Sequence, residues 1–306
     1  MSKPAPKNNI APNNHIMVSV IIPTYRDWER LQLCLNALSS QTYPQENFET
    51  IVVNNDPKDK VPGSLIIPKN CKLLEEKKTG SYAARNKALS IAQGDIYAFT
   101  DSDCQPQNDW LATAVAFFDN NPGYQRIGGA IELLFETEKL TWAEIYEKAF
   151  AFSQKQFVAT QGMAATANMI AKRQVFDKIG KFNSALMSGG DAEWGKRAYL
   201  NGFKIMYVPE CIVWHPTRST ISELIQKTKR EAGGHFALRK EGSRINKLFF
   251  ILLGILPPIF SFMRLKKNNN LTWSEKVIAF IIRYFLRLVA MKEKLLLFFG
   301  KKAERI

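Results

Sequence analysis

Short runs of β-branched and aromatic residues alternate with helix-like segments in the first third of this 306-residue chain, and this alternation restricts the possible folds more than any other feature. Met17 to Ile22, Phe48 to Val53 and Asp95 to Thr100 have the length and composition of buried strands. Trp28 to Ser39 and Gly80 to Ala92 lie between them and have the apolar spacing of helices. This alternation predicts an α/β fold with a mostly parallel sheet flanked by helices.

Weaker patterns predict the remaining elements of the body. Ser64 to Ile67 has the composition of a minor strand, and Ile205 to Val208 and Cys211 to Trp214 have that of two later strands. Ala143 to Gln161 and Gln174 to Gly180 have the spacing of helices. The predicted α/β domain therefore spans residues 17–216.

The basic residues are concentrated in the C-terminal part of the chain. The whole chain has a net charge of +14, and residues 216–306 contain 19 basic and six acidic residues, a net charge of +13. A nearly neutral body is thus joined to a basic region, residues 217–306, which we expect to be helical. Such a region is expected to bind an anionic partner, either a membrane surface or a nucleic acid.

The apolar patterning of the basic region favours lipid over nucleic acid. Leu248 to Met263 is apolar but is interrupted by two prolines and is shorter than the ~20 residues of a spanning helix. In Val277 to Phe299, apolar and basic residues alternate as in an amphipathic helix at the interface of an anionic membrane. Two alternatives remain open: a helix packed on the body, and a re-entrant hairpin that turns at the prolines. We expect no nucleic-acid partner.

The N-terminus and the cysteines indicate the compartment. Residues 1–16 contain no apolar run, which predicts a disordered arm and not a signal peptide. The four cysteines lack metal-ligand spacing, which argues against a zinc site or a disulfide scaffold and fits a reducing compartment. We therefore expect a cytoplasmic protein that is peripheral or monotopic at the inner face of the cell membrane.

Polar clusters follow all three predicted parallel strands. Thr24 to Asp27, Asn54 to Asp56 and Asp101 to Asp103 each lie where a strand ends. In open α/β sheets, ligands bind at the carboxyl ends of the strands. One such cluster is usually an ordinary polar loop, but three in succession predict a binding site.

Asp101 and Asp103 are the strongest candidates for a metal site. Two carboxylates two residues apart at a strand end can share one Mg²⁺ or Mn²⁺ ion, which prefers oxygen ligands and keeps substrate phosphates as partners. The alternative for this pair is a solvated turn. His215 ends the last predicted strand and is either a metal or phosphate ligand or a structural residue.

Two further segments carry candidate chemistry. Arg85 lies in the predicted helix that begins near Gly80, where it either binds a phosphate or pairs with a strand-end carboxylate. Asp191 follows two glycines that permit a tight loop. It is either a general base in a cleft or the N-cap of a helix, with Glu193 in the first turn.

From Met17 to His215, about two-thirds of the chain, these ordered features together resemble the family 2 glycosyltransferases, which have the Rossmann-like GT-A fold. On the donor side, the resemblance implies that Asp103 binds the metal and that Asp101 faces the ribose or a metal-bound water. It also implies nucleotide contacts, with a preference for UDP. The residues implied in these contacts are Pro23, Thr24, Tyr25, Arg85, and the pair Asn54 and Asn55, which stand where the family usually has aspartates.

On the acceptor side, Gly190 to Glu193 resembles the family's Glu-Asp motif, with Gly190 in place of the glutamate. The resemblance implies that Asp191 is the catalytic base and that Glu193 and Trp194 lie near the acceptor. The family inverts the anomeric carbon. The implied activity is transfer of one sugar, dependent on Mn²⁺ or Mg²⁺, to a glycan or lipid-linked hydroxyl in polysaccharide or cell-envelope assembly.

Two other functions are weighed against this one. A nucleotidyltransferase requires a glycine-rich basic loop after the first strand, where this chain has Pro23 to Tyr25. An inactive membrane-docked scaffold or sugar-binding module would account for Asn54, Asn55 and Gly190, but not for the three retained aspartates.

Overall fold

The computed structural model describes residues 16–238 and 244–301. The predicted N-terminal arm therefore lies outside the described residues, apart from Ile16. Within them, eight strands form one sheet in the order β3-β2-β1-β4-β7-β6-β8-β5. The strands are β1 (Val18–Thr24), β2 (Phe48–Asn54), β3 (Cys71–Glu75), β4 (Ile96–Phe99), β5 (Gln105–Pro106), β6 (Arg126–Leu134), β7 (Met169–Lys172) and β8 (Ile205–Pro216).

The described residues form eleven α-helices. These are α1 (Trp28–Ser39), α2 (Ser81–Ala88), α3 (Trp110–Asn120), α4 (Trp142–Phe150), α5 (Gln154–Gln161), α6 (Arg173–Ile179), α7 (Gly190–Leu200), α8 (Ile221–Leu238), α9 (Arg244–Leu252), α10 (Ile259–Lys266) and α11 (Trp273–Phe298). The first strands and helices along the chain alternate as the sequence predicts.

The strands β3, β2, β1 and β4 are parallel neighbours, which confirms the predicted α/β sheet. Every residue of β1 and β2 is buried, because helices cover both faces of the sheet. Val20 packs with α1 and α3 on one face, whereas Ile21 packs with α2 and α7 on the other. The carboxyl ends of these strands lie side by side, and Thr24 is paired with Asn54.

Three elements differ from the sequence prediction. Ser64 to Ile67 is not a strand in this described segment, because Pro62 and Pro68 enclose it, and β3 takes its place at the sheet edge. The predicted helix from Ala143 to Gln161 is two helices, α4 and α5, separated by Phe152 with a φ of 37°.

The two late strands predicted near the end of the body are one strand, β8. It pairs with β6 on both sides of a register shift between Gly129 and Ala130. Val208 lies opposite Gly129 and Ile212 opposite Ala130, so the intervening residues of β8 bulge out of the ladder. Periodicity cannot show that a strand continues through such a bulge.

The C-terminal helices pack on the body. Ala279, Ile282 and Leu286 of α11 are buried against α4 and α8, which corresponds to the packed-helix alternative left open by the sequence. The opposite side of α11 still exposes an i, i+4 apolar stripe that begins at Trp273 and ends at Phe285. None of the described helices is long and apolar enough to cross a bilayer alone, and one pair, bent by 49° between Ile255 and Ile259, meets the criteria together.

A buried ion pair fixes the C-terminal helices to the body. The carboxylate of Glu147 on α4 is fully buried and accepts hydrogen bonds from Lys227 Nζ at 3.0 Å and from Arg218 Nη1 at 3.1 Å. Burial by itself raises the pKa of a carboxyl group. At Glu147, Lys227 and Arg218 outweigh that effect and hold the pKa below its ordinary value.

We predict that Glu147→Gln lowers the free energy of unfolding by roughly 2–3 kcal/mol near neutral pH, because two cations lose a buried partner. A carboxyl group with a lowered folded pKa stabilises the protein above its unfolded pKa of about 4.3 and loses that contribution as the pH falls through the folded value. Urea denaturation at neutral and acid pH measures both effects. Exposed Glu138→Gln is the matched control. A neutral-pH difference below about 0.5 kcal/mol would contradict this account.

Candidate active site

An ion pair across the carboxyl edge of the sheet joins α2 to the loop after β4. Arg85 is 3% exposed, and its Nη2 donates a hydrogen bond to Asp101 Oδ1. Thus the sequence alternative in which Arg85 pairs with a strand-end carboxylate is observed. The carboxylate of Asp101 is 35% exposed, so it faces the cleft on its other side.

Asp103 and His215 meet at this edge, although they lie far apart in the chain. His215 Nε2 lies 3.6 Å from Asp103 Oδ2. His215 Nδ1 lies 2.6 Å from the carbonyl oxygen of Pro216, which can only accept, so Nδ1 carries the hydrogen. In the neutral ring, the lone pair of Nε2 then faces a carboxylate oxygen. This arrangement fits a cation between the two groups, and a backbone carbonyl that orients a histidine is a common support for a metal ligand.

Cys104 is the third potential ligand in this cluster, since its Sγ lies within 4.8 Å of the ligand atoms of Asp103 and His215. Burial, reinforced by the nearby carboxylates, raises the pKa of the Cys104 thiol well above its ordinary value. A thiol binds metals as the thiolate. The donor set that fits a hard divalent cation is therefore Asp103 with His215, and the expected role of Asp101 as a direct ligand stays a prediction.

Asp191 lies across α2 from this donor set. It is the second residue of α7, whose N-cap is Gly189, so Asp191 does not cap the helix. Its Oδ1 accepts hydrogen bonds from the Tyr82 hydroxyl at 3.2 Å and from the Ala192 N–H at 2.9 Å. Its Oδ2 accepts none from the residues that the structure describes. One oxygen thus fixes the carboxylate, and the other is left to take a proton.

Burial raises the pKa of Asp191 above its ordinary value. The Ala192 N–H, the Arg85 charge and the Tyr82 hydroxyl each act in the opposite direction and offset part of that rise. A carboxylate with a raised pKa is a stronger base than a solvated one. Asp191 therefore has the environment expected of a general base.

Tyr82 explains the glycine at position 190. A Cβ atom built on Gly190 would lie 2.7 Å from Tyr82 Cε2, closer than real side chains approach. The ring therefore occupies the space that a glutamate at position 190 would need, and its hydroxyl contacts the neighbouring Asp191. Tyr82 was not predicted as a site residue from the sequence, although it lies within the segment that carries Arg85.

The structure shows which backbone groups Asn54 and Asn55 contact. Both are buried. Asn54 Nδ2 donates to the Asp59 carbonyl and its Oδ1 accepts from the Asp56 N–H. Asn55 Nδ2 donates to two carbonyls, and its Oδ1 accepts from the N–H of Gly80 at 2.8 Å. These amides hold the loop after β2 and the start of α2 through backbone groups, and their expected contact with the nucleotide stays a prediction.

The neighbouring charged and aromatic groups are better exposed to a ligand. Arg26 Nε donates to Asp56 Oδ2 at 2.7 Å, and its guanidinium lies 5.2 Å from the centre of the Tyr25 ring, which is partly exposed. Pro23 and Thr24 are buried in β1, and Thr24 Oγ1 is buried without a partner among the described residues. Arg26 and Asp56 were not selected as site residues from the sequence, although Asp56 belongs to a predicted polar cluster.

Trp194 and Glu193 have partners within the protein, and their expected places beside the acceptor stay predictions. Trp194 is fully buried, is stacked on Phe176 at 4.3 Å, and donates its indole N–H to the Gly180 carbonyl. Glu193 forms an i, i+4 ion pair with Arg197 at 2.6 Å. Both residues hold α7 in place, and Asp191 is the residue of this segment that faces Tyr82.

Known proteins similar to this chain identify its family. The family model described as Glycosyl transferase family 2 matches residues 19–180. The glycosyltransferase AglE of Haloferax volcanii is 34% identical over 253 residues, which are 78% of this chain and 81% of that protein. A Methanococcus voltae enzyme, the dolichyl N-acetyl-alpha-D-glucosaminyl phosphate 3-beta-D-2,3-diacetamido-2,3-dideoxy-beta-D-glucuronosyltransferase, is 23% identical over 265 residues, 81% of this chain and 80% of that protein.

A solved structure shares the fold. The mannosyltransferase PcManGT of Pyrobaculum calidifontis, in complex with GDP-Man and Mn²⁺, superposes with a TM-score of 0.60. It is 19% identical, and the match covers 93% of this chain and 88% of that one. The chain belongs to glycosyl transferase family 2 and has the GT-A fold.

Proposed function

We propose that this glycosyltransferase inverts the anomeric carbon while it moves one sugar from a nucleoside-diphosphate sugar to an acceptor hydroxyl, with Asp191 as the base. The observation that carries the proposal is that one helix, α2, contacts both halves of the site. Arg85 pairs with Asp101 on the metal side, and Tyr82 donates to Asp191 on the other side. The proposed base and the proposed donor site are therefore held in a fixed relation.

In the proposed reaction, Asp191 Oδ2 takes the proton of the acceptor hydroxyl. The acceptor oxygen then bonds to the anomeric carbon, and the bond from that carbon to the diphosphate breaks. Asp103 and His215 would hold a Mn²⁺ or Mg²⁺ ion. When bound, this ion supplies positive charge to the departing diphosphate. Arg85 holds Asp101 at the edge of the same cleft.

The donor is expected to carry UDP, as the resemblance to the family implies. The solved mannosyltransferase of similar fold has GDP-Man bound, so a guanine donor is the alternative to be tested. The exposed Tyr25 ring and the Arg26–Asp56 pair are the groups we propose to border the base, in place of the two buried asparagines.

The acceptor is proposed to be lipid-linked and to belong to cell-envelope glycosylation. The name of the Methanococcus voltae relative specifies a dolichyl phosphate-linked sugar as its acceptor. A lipid-linked acceptor places the reaction at a membrane surface, and the +13 charge of residues 216–306 would favour anionic lipid there. We therefore propose a peripheral location at the membrane.

The sequence changes that suggested an inactive scaffold have structural explanations. Gly190 is accounted for by the Tyr82 ring, and the two asparagines are accounted for by their hydrogen bonds to the backbone. Neither change removes a group from the proposed chemistry.

We predict that release of nucleoside diphosphate from a panel of UDP-, GDP- and dTDP-sugars depends on Mn²⁺ or Mg²⁺ and is abolished by Asp103→Asn. The amide removes the charge that balances the cation. Electron paramagnetic resonance of added Mn²⁺ checks the same site without turnover. Exposed Asp119→Asn is the control for the loss of one carboxylate. Mn²⁺ binding by Asp103→Asn as tight as wild type would exclude this metal site.

We predict that Asp191→Asn lowers the transfer rate about 10²–10⁴-fold, because an amide cannot accept the proton of the acceptor. Donor binding, measured by calorimetry with the nucleoside diphosphate, is expected to stay within about twofold of wild type, because Asp191 is not a donor contact. Exposed Asp177→Asn on α6 is the matched control. Near-normal transfer by the Asp191 variant would show that the base lies elsewhere.

We predict that Tyr82→Phe moves the acid limb of the kcat/KM profile to higher pH by about half a unit to one unit. The hydroxyl stabilises the ionised form of Asp191, so its removal raises the pKa of the base, and the active form is lost at a higher pH as the solution is acidified. Tyr43→Phe removes a hydroxyl that is bonded to the Ile16 carbonyl, away from the site, and serves as the control. An unchanged limb for Tyr82→Phe would mean that its hydroxyl does not tune the base.

A further inference from the structure

The C-terminal helices expose a continuous apolar segment that is not buried against the body. From α9 through the turn at Pro257 and Pro258 to α10, ten large apolar side chains are exposed. This apolar wedge consists of Ile245, Phe249, Phe250, Leu252, Ile255, Leu256, Ile259, Phe260, Phe262 and Met263. Phe260, beside the turn, is 88% exposed. Soluble proteins rarely leave such a patch in water, so the wedge indicates a surface that another phase or molecule covers.

The charges around the wedge favour an anionic partner. From Ile245 to Ser274 the sequence contains four basic residues and no acidic one. Lys266 and Lys267, at the C-terminal end of α10, are exposed. A segment that joins Phe, Ile and Leu to lysine and arginine in this way has the composition of a helix that lies in the interface of an anionic bilayer.

The shape of the wedge suits shallow insertion. Its two helical parts, Leu248–Ile255 and Ile259–Lys266, meet the apolar criterion for a membrane segment only as a pair, and they are bent by 49° at the prolines. The exposed turn at the prolines therefore lies at the apex of the bend, between the two helical parts. Side chains at such a turn can enter the acyl boundary while the lysines remain among the headgroups.

The base of the wedge adjoins the metal side of the cleft. Arg264 of α10 donates to Ser153 Oγ at 2.6 Å. The neighbouring Phe152 packs its ring 4.6 Å from the imidazole of His215, which in turn faces Asp103. The short loop between α4 and α5 therefore contacts both the wedge and the proposed donor site.

We propose that the apolar wedge inserts into the interface of an anionic lipid bilayer and holds the cleft at the membrane surface. The insertion depends on the wedge and its lysines alone. The further consequence, that a lipid-linked acceptor reaches Asp191 directly from the bilayer, rests on the proposed function. The inner face of α11 is occupied by α4 and α8. In this proposal the wedge, and not α11, is therefore the principal membrane-binding element.

Flotation of the full chain with lipid vesicles tests the proposal without donor or acceptor. We expect the protein to float with mixed phosphatidylglycerol–phosphatidylcholine vesicles and much less with phosphatidylcholine alone. Phe260→Glu, at an exposed position, is expected to lower the partition coefficient about tenfold or more, because a charge replaces an aromatic ring that inserts into the bilayer. Ile66→Glu makes a similar change at a body position that is 72% exposed and is the matched control, expected to float as wild type.

A second pair of variants tests the charges. Lys266→Gln combined with Lys267→Gln is expected to weaken flotation on anionic vesicles by about thirtyfold, at roughly 1 kcal/mol for each lysine, and to reduce its salt dependence. Equal flotation of wild type and Phe260→Glu would overturn the proposal. So would a wild-type dimer in light scattering that Phe260→Glu converts to a monomer, since the wedge would then bind a second copy.

A failure of the wedge to bind membranes can be distinguished from a failure of the proposed glycosyltransferase activity. Nucleoside diphosphate release with a detergent-solubilised acceptor does not require vesicles, and Phe260→Glu is expected to retain it. Flotation without any transfer by the wild type would refute the proposed function and leave the wedge intact. Transfer by a wild type that never floats would refute the wedge alone.

Discussion

Helix α2 is the element on which the candidate site depends. Its start is fixed by the hydrogen bond from the Gly80 N–H to Asn55, so the end of β2 determines where the helix begins. Arg85 then pairs with Asp101 after β4, and Tyr82 reaches Asp191 at the start of α7. A shift of α2 would disturb all three contacts together, because they lie within two turns of one helix.

The same contacts explain why this chain can differ from the usual pattern of its family. An aspartate at position 55 could not donate to the Glu76 and Lys78 carbonyls as the amide of Asn55 does. A side chain at position 190 could not coexist with the Tyr82 ring. The departures in sequence are therefore linked through α2, and the carboxylates of the proposed chemistry are unaffected by them.

The C-terminal helices show two uses of apolar surface in one region. α11 buries one face on α4 and α8, where Glu147 with its two cations adds a polar link to the body. The wedge of α9 and α10 keeps its apolar residues exposed and has basic residues beside them. Since both segments are apolar and basic, composition groups them together, and the packing of each in three dimensions separates them.

The sequence by itself determined the α/β class, the parallel strands and the convergence of three polar clusters, because buried strands and amphipathic helices have local periods. It also selected Asp101, Asp103, Arg85 and Asp191 from short segments. Only the tertiary structure decided that Asn54, Asn55 and Trp194 support the scaffold, that Tyr82 contacts Asp191, and that His215 faces Asp103. These are contacts between residues far apart in the chain, and no local pattern encodes which side chains a fold brings within hydrogen-bonding distance.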